Sequence, residues 1–251
     1  MFNGVVSDKD TIPSLVSKKL NLDKNNYFVE NFGLGGLDLH YEVSNFFNLL
    51  RFSSNKPDKV VFYDGYNDIF NKIKHSGEFF IFNFSQSLMY DQNNFQKSIY
   101  FFSEFISSHS VIFKSTLGKK IKRFNIERLK KNKKEFKLDE IVNDYIDSIN
   151  YANNIAKEYN IDIYFFLQPA AFSRKNPIGI EKKYHNIDEA KIARQIYEKI
   201  SSEIKIKNFY NISDIFDDYD EQFFYDYAHL SRKGNLVVSE KIYKILKENI
   251  N

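Results

Sequence analysis

With 251 residues, 43% of them apolar and 17% aromatic, the chain can bury a sizeable core as one large α/β domain or two small ones. A net charge of +3 is too weak to argue for nucleic acid, and only 9 Gly and 4 Pro argue against a loop-rich or disordered chain. The absence of cysteine excludes disulfides, thiolate catalysis and Cys-based zinc sites.

Residues 11–20 read as a helix. Asp10 or Thr11 caps it, Pro13 suits its first turn, and Ile12, Leu15, Val16 and Leu20 form one apolar stripe. Residues 27–32 read as a strand that runs into the turn Gly33-Leu34-Gly35-Gly36. A helix over 39–52 follows, with Leu39, Val43, Phe46, Phe47 and Leu50 on one face. Residues 59–63 read as a buried strand that ends in Asp64-Gly65-Tyr66-Asn67-Asp68. From 73 to 136 the rhythm is lost. That stretch is aromatic, then basic, and reads as a mostly helical insertion (roughly 75–135) within a single domain of 1–251, serving as a lid or an oligomer contact. Its basic run, 119–134, reads as a solvated helix face in preference to a membrane or polyanion contact.

The rhythm returns with a helix over 138–159 and a strand over 161–167. A loop through Pro177 and Gly179, a helix over 186–204 and a strand over 208–212 follow. A final helix begins after Ser231, its cap, with Leu236, Val237, Ile242, Ile245 and Leu246 among its apolar positions. No apolar run approaches the roughly 18 residues of a membrane helix, and the N-terminus has no apolar signal core, so the chain as given reads as soluble and untargeted.

Strands alternating with long helices imply a parallel sheet covered on both faces, with the chemistry outside the carboxyl ends of the strands. Three polar loops fall there: 33–36, 64–68 and 226–229. In the last, Asp226 stands three residues ahead of His229. A carboxylate that accepts from one imidazole nitrogen sets the tautomer and stabilises the imidazolium formed when the other nitrogen takes a proton. The glycines of 33–36 lack the spacing of a dinucleotide or phosphate loop, which makes a flavodoxin-like nucleotide binder a poor reading. They suit close approach of a backbone N–H to a ligand. The Gly36 N–H and the Asn67 amide together suit an oxyanion hole for acyl transfer. For either loop alone, an ordinary strand-to-helix turn with Asn67 or Asp68 as N-cap is the simpler reading.

Gly36, then Gly65-Tyr66-Asn67-Asp68, then Asp226-Tyr227-Ala228-His229, in that order, resemble three of the four signature blocks of the SGNH (GDSL-type) hydrolases. The segment from Leu230 to Asn235 looks like that family's usual ending, and the resemblance spans the chain outside roughly 75–135. It implies a three-layer α/β/α fold with a mostly parallel, flavodoxin-like sheet. It also implies Ser-His-Asp acyl-enzyme chemistry on an O-acyl ester, with no metal and no cofactor. In that scheme His229 is the base, Asp226 orients it, and Gly36 and Asn67 hold the oxyanion. An O-acetyl group on a carbohydrate is the substrate suggested by relatives from surface-polysaccharide loci, with no nucleic acid partner.

The first block, which carries the serine, is not found. Residues 5–14 match the family segment that follows it, so the nucleophile is expected about two residues ahead of Met1. Ser7 lies past the nucleophile turn, and Ser231 reads as a helix cap. Two further readings stay open: an inactive SGNH-like module that binds a glycan or partner, and an O-acyltransferase using the same residues. Among the remaining histidines, His40 lies close after Gly36 and is placed at the pocket, while His75, His109 and His185 read as surface or structural.

Overall fold

The computed structural model describes residues 6–22, 26–75 and 137–249. From residue 76 on, the segment read as a helical insertion, with its basic run and His109, lies outside the described residues. The chain divides into two compact units, Met1–Phe70 with Leu138–Asn251 and Asn71–Lys137, and the sheet belongs to the first.

The described elements are α1 (Ile12–Leu20), α2 (Leu39–Phe52), β1 (Lys59–Asp64), α3 (Tyr66–His75), α4 (Leu138–Glu158), β2 (Asp162–Leu167), α5 (Glu181–His185), α6 (Asp188–Glu203), β3 (Phe209–Asn211) and α7 (Arg232–Glu248). The strands pair in parallel in the order β1-β2-β3, with Lys59 beside Asp162 and Asp64 beside Leu167. β2 is buried along five of its six residues, which is why its sequence reads as a continuous apolar run.

Helices cover both faces. On one side α4 packs against α2 and α6. There Phe62 of β1 stacks on Phe165 of β2 at 5.5 Å, and Phe46 of α2 meets Phe62 edge-on at 5.9 Å. On the other side α1 packs on α7. Tyr164 and Phe166 of β2 join Ile12, Val16, Phe216, Val238 and Ile242 in a second buried cluster. The architecture is the three-layer α/β/α sandwich implied by the βα alternation. None of the described helices is long and apolar enough to cross a membrane.

Two expectations fail at one place. Residues 27–32 form no strand and no other regular element, with Phe28 87% and Phe32 61% exposed. β1 is not fully buried either, since Val61 is 39% exposed. Both have one cause. Among the described residues no strand pairs with the second edge of β1, so 27–32 has no ladder to join. Smaller departures are the short helix α5, which has no apolar period to announce it, and Thr11. Thr11 stands at the cap position of α1, yet its hydroxyl donates to the Asp8 carbonyl at 2.9 Å.

A buried ion pair holds the segment that leads to the candidate site. Arg174 and Glu181 are both buried, with 2.7 Å between Nη1 and Oε2. The guanidinium also donates to the carbonyls of Tyr219 and Glu221. The carboxylate accepts from the N–H groups of Ile178 (2.9 Å), Phe223 (2.9 Å) and Phe224 (3.4 Å). Glu181→Ala strands the buried guanidinium and three backbone donors. It is expected to cost about 3–5 kcal/mol in urea unfolding. An Arg174→Met/Glu181→Leu double variant is expected to regain only part of that loss, because the three N–H groups still lack an acceptor.

Candidate active site

The C-terminal ends of β1 and β2 lie level, and Gln168 N–H donates to the Asp64 carbonyl at 2.8 Å just beyond them. β1 leaves through Gly65, whose φ is +134°. A Cβ there would stand 2.6 Å from the Leu167 side chain, so only glycine lets the chain turn this close to β2.

Asp68, buried in α3, ties the neighbouring loops. Its Oδ2 accepts from Gly65 N–H at 3.1 Å and its Oδ1 from Leu39 N–H at 2.9 Å. The second bond crosses to the start of α2, which Asp38 caps by accepting from Tyr41 N–H at 3.2 Å. Asn67 adds another tie, its Nδ2 donating to the Leu37 carbonyl at 2.9 Å. The 33–36 loop is thereby carried to the end of β1. Gly36 has φ +80°, and no described group accepts from its N–H. An amide nitrogen carries two hydrogens, so Asn67 keeps one donor beyond the Leu37 bond. The sequence suits Asp68 to a simple helix cap; its two bonds make it a cross-link between three segments instead.

The loop after β3 is closed at its neck by an antiparallel bridge between Phe224 and Leu230. Tyr225 N–H donates to the His229 carbonyl (2.9 Å) and Ser231 N–H to the Phe223 carbonyl (2.7 Å). Inside, Asp226 Oδ1 accepts from the N–H groups of Ala228 (2.9 Å) and His229 (2.8 Å). Its Oδ2 lies 2.7 Å from His229 Nδ1. Burial pushes the Asp226 carboxyl up, but the two N–H donors and the imidazole outweigh it, and the net shift is downward. A carboxylate held ionised against Nδ1 makes that nitrogen the donor and leaves Nε2 as a base. Nε2 has no partner among the described residues, and the His229 side chain is 41% exposed.

The two halves of the site meet through rings. Tyr66, buried beside Asn67, stacks on Tyr227 at 4.8 Å, and the Tyr227 ring lies 5.9 Å from the imidazole of His229. Tyr227 is anchored from behind, its carbonyl accepting from Ala171 N–H at 2.9 Å. Asp226, His229 and Gly36 on their loops, and Asn67 in the first turn of α3, thus stand at the carboxyl end of the sheet. A family model for GDSL-like lipase/acylhydrolase matches residues 2–242. The chain belongs to that family. Comparison with curated proteins and with solved structures finds no match.

Membership carries the SGNH fold and, in general terms, the hydrolysis of small-molecule esters. Within this GDSL-family chain the other candidates fall elsewhere. Ser7 Oγ donates to Asp10 Oδ2 at 2.8 Å, and Asp10 Oδ1 accepts from Arg232 at 3.0 Å, which fastens the start of α1 to α7. Ser231 caps α7 by accepting from Gly234 N–H at 3.3 Å. His40 is exposed and packs edge-on against Tyr41 at 5.8 Å, and His185 lies beside Asn186. No group of three or more metal-ligating side chains occurs among the described residues.

A feature without a sequence signal sits beneath the site. Asp64 Oδ2 is buried without a hydrogen-bond partner, next to Glu42, Asp68 and Asp38. Burial, then the Glu42 and Asp68 carboxylates, hold Asp64 well above the usual carboxylate range. Burial, helped by the Asp68 and Asp38 carboxylates and opposed by a hydrogen bond with Asp64, pushes Glu42 up to about 7 from an ordinary 4.5. A carboxyl with a raised folded-state pKa holds a proton that the unfolded chain has lost. Stability therefore falls as pH rises from 4.5 through about 7 and levels off above. Urea midpoints are expected to drop across that window, and Asp64→Asn is expected to flatten the drop. A midpoint that rises with pH in the parent protein would contradict the assignment.

Proposed function

We propose that the protein is a serine ester hydrolase that removes O-acyl groups, O-acetyl groups first among them, from carbohydrate hydroxyls. The observation that carries the proposal is the Asp226–His229 pair, with its imidazole Nε2 directed to no described partner, together with the Gly36 N–H, which no described group accepts, and the Asn67 amide.

The reaction runs in two halves. A serine hydroxyl attacks the ester carbonyl, and Nε2 of His229 takes its proton while Asp226 stabilises the imidazolium. The negative charge on the carbonyl oxygen accepts from the N–H groups of Gly36 and of the serine itself, and from the Asn67 amide. The bond to the alcohol oxygen then breaks, and the imidazolium returns its proton to that oxygen. Water, deprotonated by the same imidazole, releases the acyl group and restores the serine.

The serine is proposed to lie ahead of Met1, on a strand that fills the open edge of β1. The second edge of β1, which no described strand pairs, the segment 27–32, which forms no strand, and the exposed rings of Phe28 and Phe32 support this. Each such ring forfeits about 1.5–3 kcal/mol relative to full burial. A strand inserted between β1 and 27–32 would pair both and cover apolar surface. Its carboxyl end would emerge at the edge where His229 stands.

The test is an extended chain that includes the codons upstream of Met1, assayed on p-nitrophenyl acetate. Hydrolysis is expected. Asn67→Ala is expected to lower kcat by about 10²–10³, and Asp226→Asn by about 10⁴ through the wrong imidazole tautomer, with KM little changed. Equal kcat in parent and Asn67→Ala would remove the oxyanion role. An upstream sequence without serine, and no turnover, would leave a binding module.

A further inference from the structure

The three tyrosines at the site are not needed to take or give a proton, yet ring contacts fix them firmly in its wall. Tyr66 is buried and stacks on Phe70 at 4.7 Å and on Tyr227 at 4.8 Å, with both pairs 15° from parallel. Tyr184, half-buried at the end of α5, meets Tyr227 edge-on at 5.9 Å and 83°. Tyr227 itself is 37% exposed, and its ring lies 5.9 Å from the imidazole of His229. Tyr66 holds it from below and Tyr184 from one side, and the Ala171 N–H holds its backbone. The result is a fixed corner of two perpendicular rings rimmed by phenolic hydroxyls, a surface that costs little entropy to present.

Its place relative to His229 says which part of the ester it touches. The carbonyl oxygen is drawn to the oxyanion donors, whereas the leaving oxygen must reach Nε2 to collect its proton. A ring against the imidazole therefore faces the alcohol. The charge at the corner narrows that alcohol further. Lys183 holds its ammonium 5.5 Å from the centre of the Tyr184 ring, so one aromatic face already carries a resident cation that repels another. Asp226, the carboxylate nearest the corner, is already engaged by His229 and two backbone N–H groups. We propose that Tyr227 and Tyr184, backed by Tyr66, form the alcohol subsite, and that it takes an uncharged cyclic polyol, a pyranose whose C–H face lies on the Tyr227 ring. The proposal rests on the ester-hydrolase reading for the orientation of the alcohol and adds the residues that select it.

Saturation-transfer NMR on the full-length protein, with methyl hexopyranosides of gluco, galacto and manno configuration, tests binding without needing turnover. Acetylcholine and ethanol serve as a cationic and an acyclic comparison. Saturation of ring C–H protons is expected for at least one pyranoside. It should be retained in Tyr227→Phe and weakened at least about fivefold in Tyr227→Ala and in Tyr184→Ala; the Tyr184 ring also packs against the buried cluster, so urea midpoints of the variants separate lost binding from lost folding. No saturation with any pyranoside, stronger saturation of acetylcholine, or an unchanged signal in both alanine variants would overturn the subsite. Tyrosine-dependent pyranoside binding without hydrolysis of any ester would refute the hydrolase and leave the subsite standing. Hydrolysis with equal kcat/KM for ethyl acetate and an acetylated pyranoside would do the reverse.

Discussion

Parallel pairing between β1 and β2 is the constraint on which the site depends. Six residue pairs in register, from Lys59 beside Asp162 to Asp64 beside Leu167, bring the two strands to an end at the same level. A parallel sheet sends every strand-to-helix connection out at one edge, so polar loops far apart in sequence are gathered without direct attraction between them. Leu167 then decides the exit of β1, because its side chain leaves room for nothing larger than Gly65. From that turn Asp68 reaches back to Gly65 and across to Leu39, and Asn67 reaches Leu37.

The second half of the site is held by satisfaction of buried polar groups. Asp226 has both oxygens engaged, by two backbone N–H groups and the imidazole, which fixes the ring of His229 while leaving Nε2 free to act. Upstream, Glu181 and Arg174 serve the loop's approach in the same way, each paired and each also bonded to backbone groups, although the buried Arg174 Nε has no partner among the described residues. A buried ion pair of this kind adds little net stability over an apolar pair of the same size, but it penalises any other path for the chain. Rigid approach and rigid loop together keep the base in place. The carboxylates beneath β1 work in the opposite sense: Asp64 and Glu42 are crowded and raised, a strained spot beside an edge that no described strand pairs.

Element type and order were legible in the chain. α2 runs over the residues expected, Leu39–Phe52, because its apolar period and the Asp38 cap agree. β2 was legible from its unbroken apolar run, and α7 from Ser231 and the stripe behind it. The departures are the places where a local signal needed a distant partner. Residues 27–32 have the composition of a strand, but a strand exists only as part of a ladder. The tie from Asp68 to Leu39 spans 29 residues, and the Arg174–Glu221 bond spans 47; neither leaves a trace in local spacing.

What the sequence determined by itself is the chemistry available and its order. An Asp three residues before a His can always fold back on Nδ1, since the turn that joins them also turns their backbone donors toward the carboxylate. The apolar periods likewise set which segments become helices and which strands, because those periods follow from backbone geometry alone. What only the tertiary structure decided is what stands beside that pair. The parallel register brought Gly36 and Asn67 to the edge where His229 lies, and stacking of Tyr66 on Tyr227 joined the two loops. No spacing rule encodes such contacts, because they arise when strands that share no local sequence end at one level.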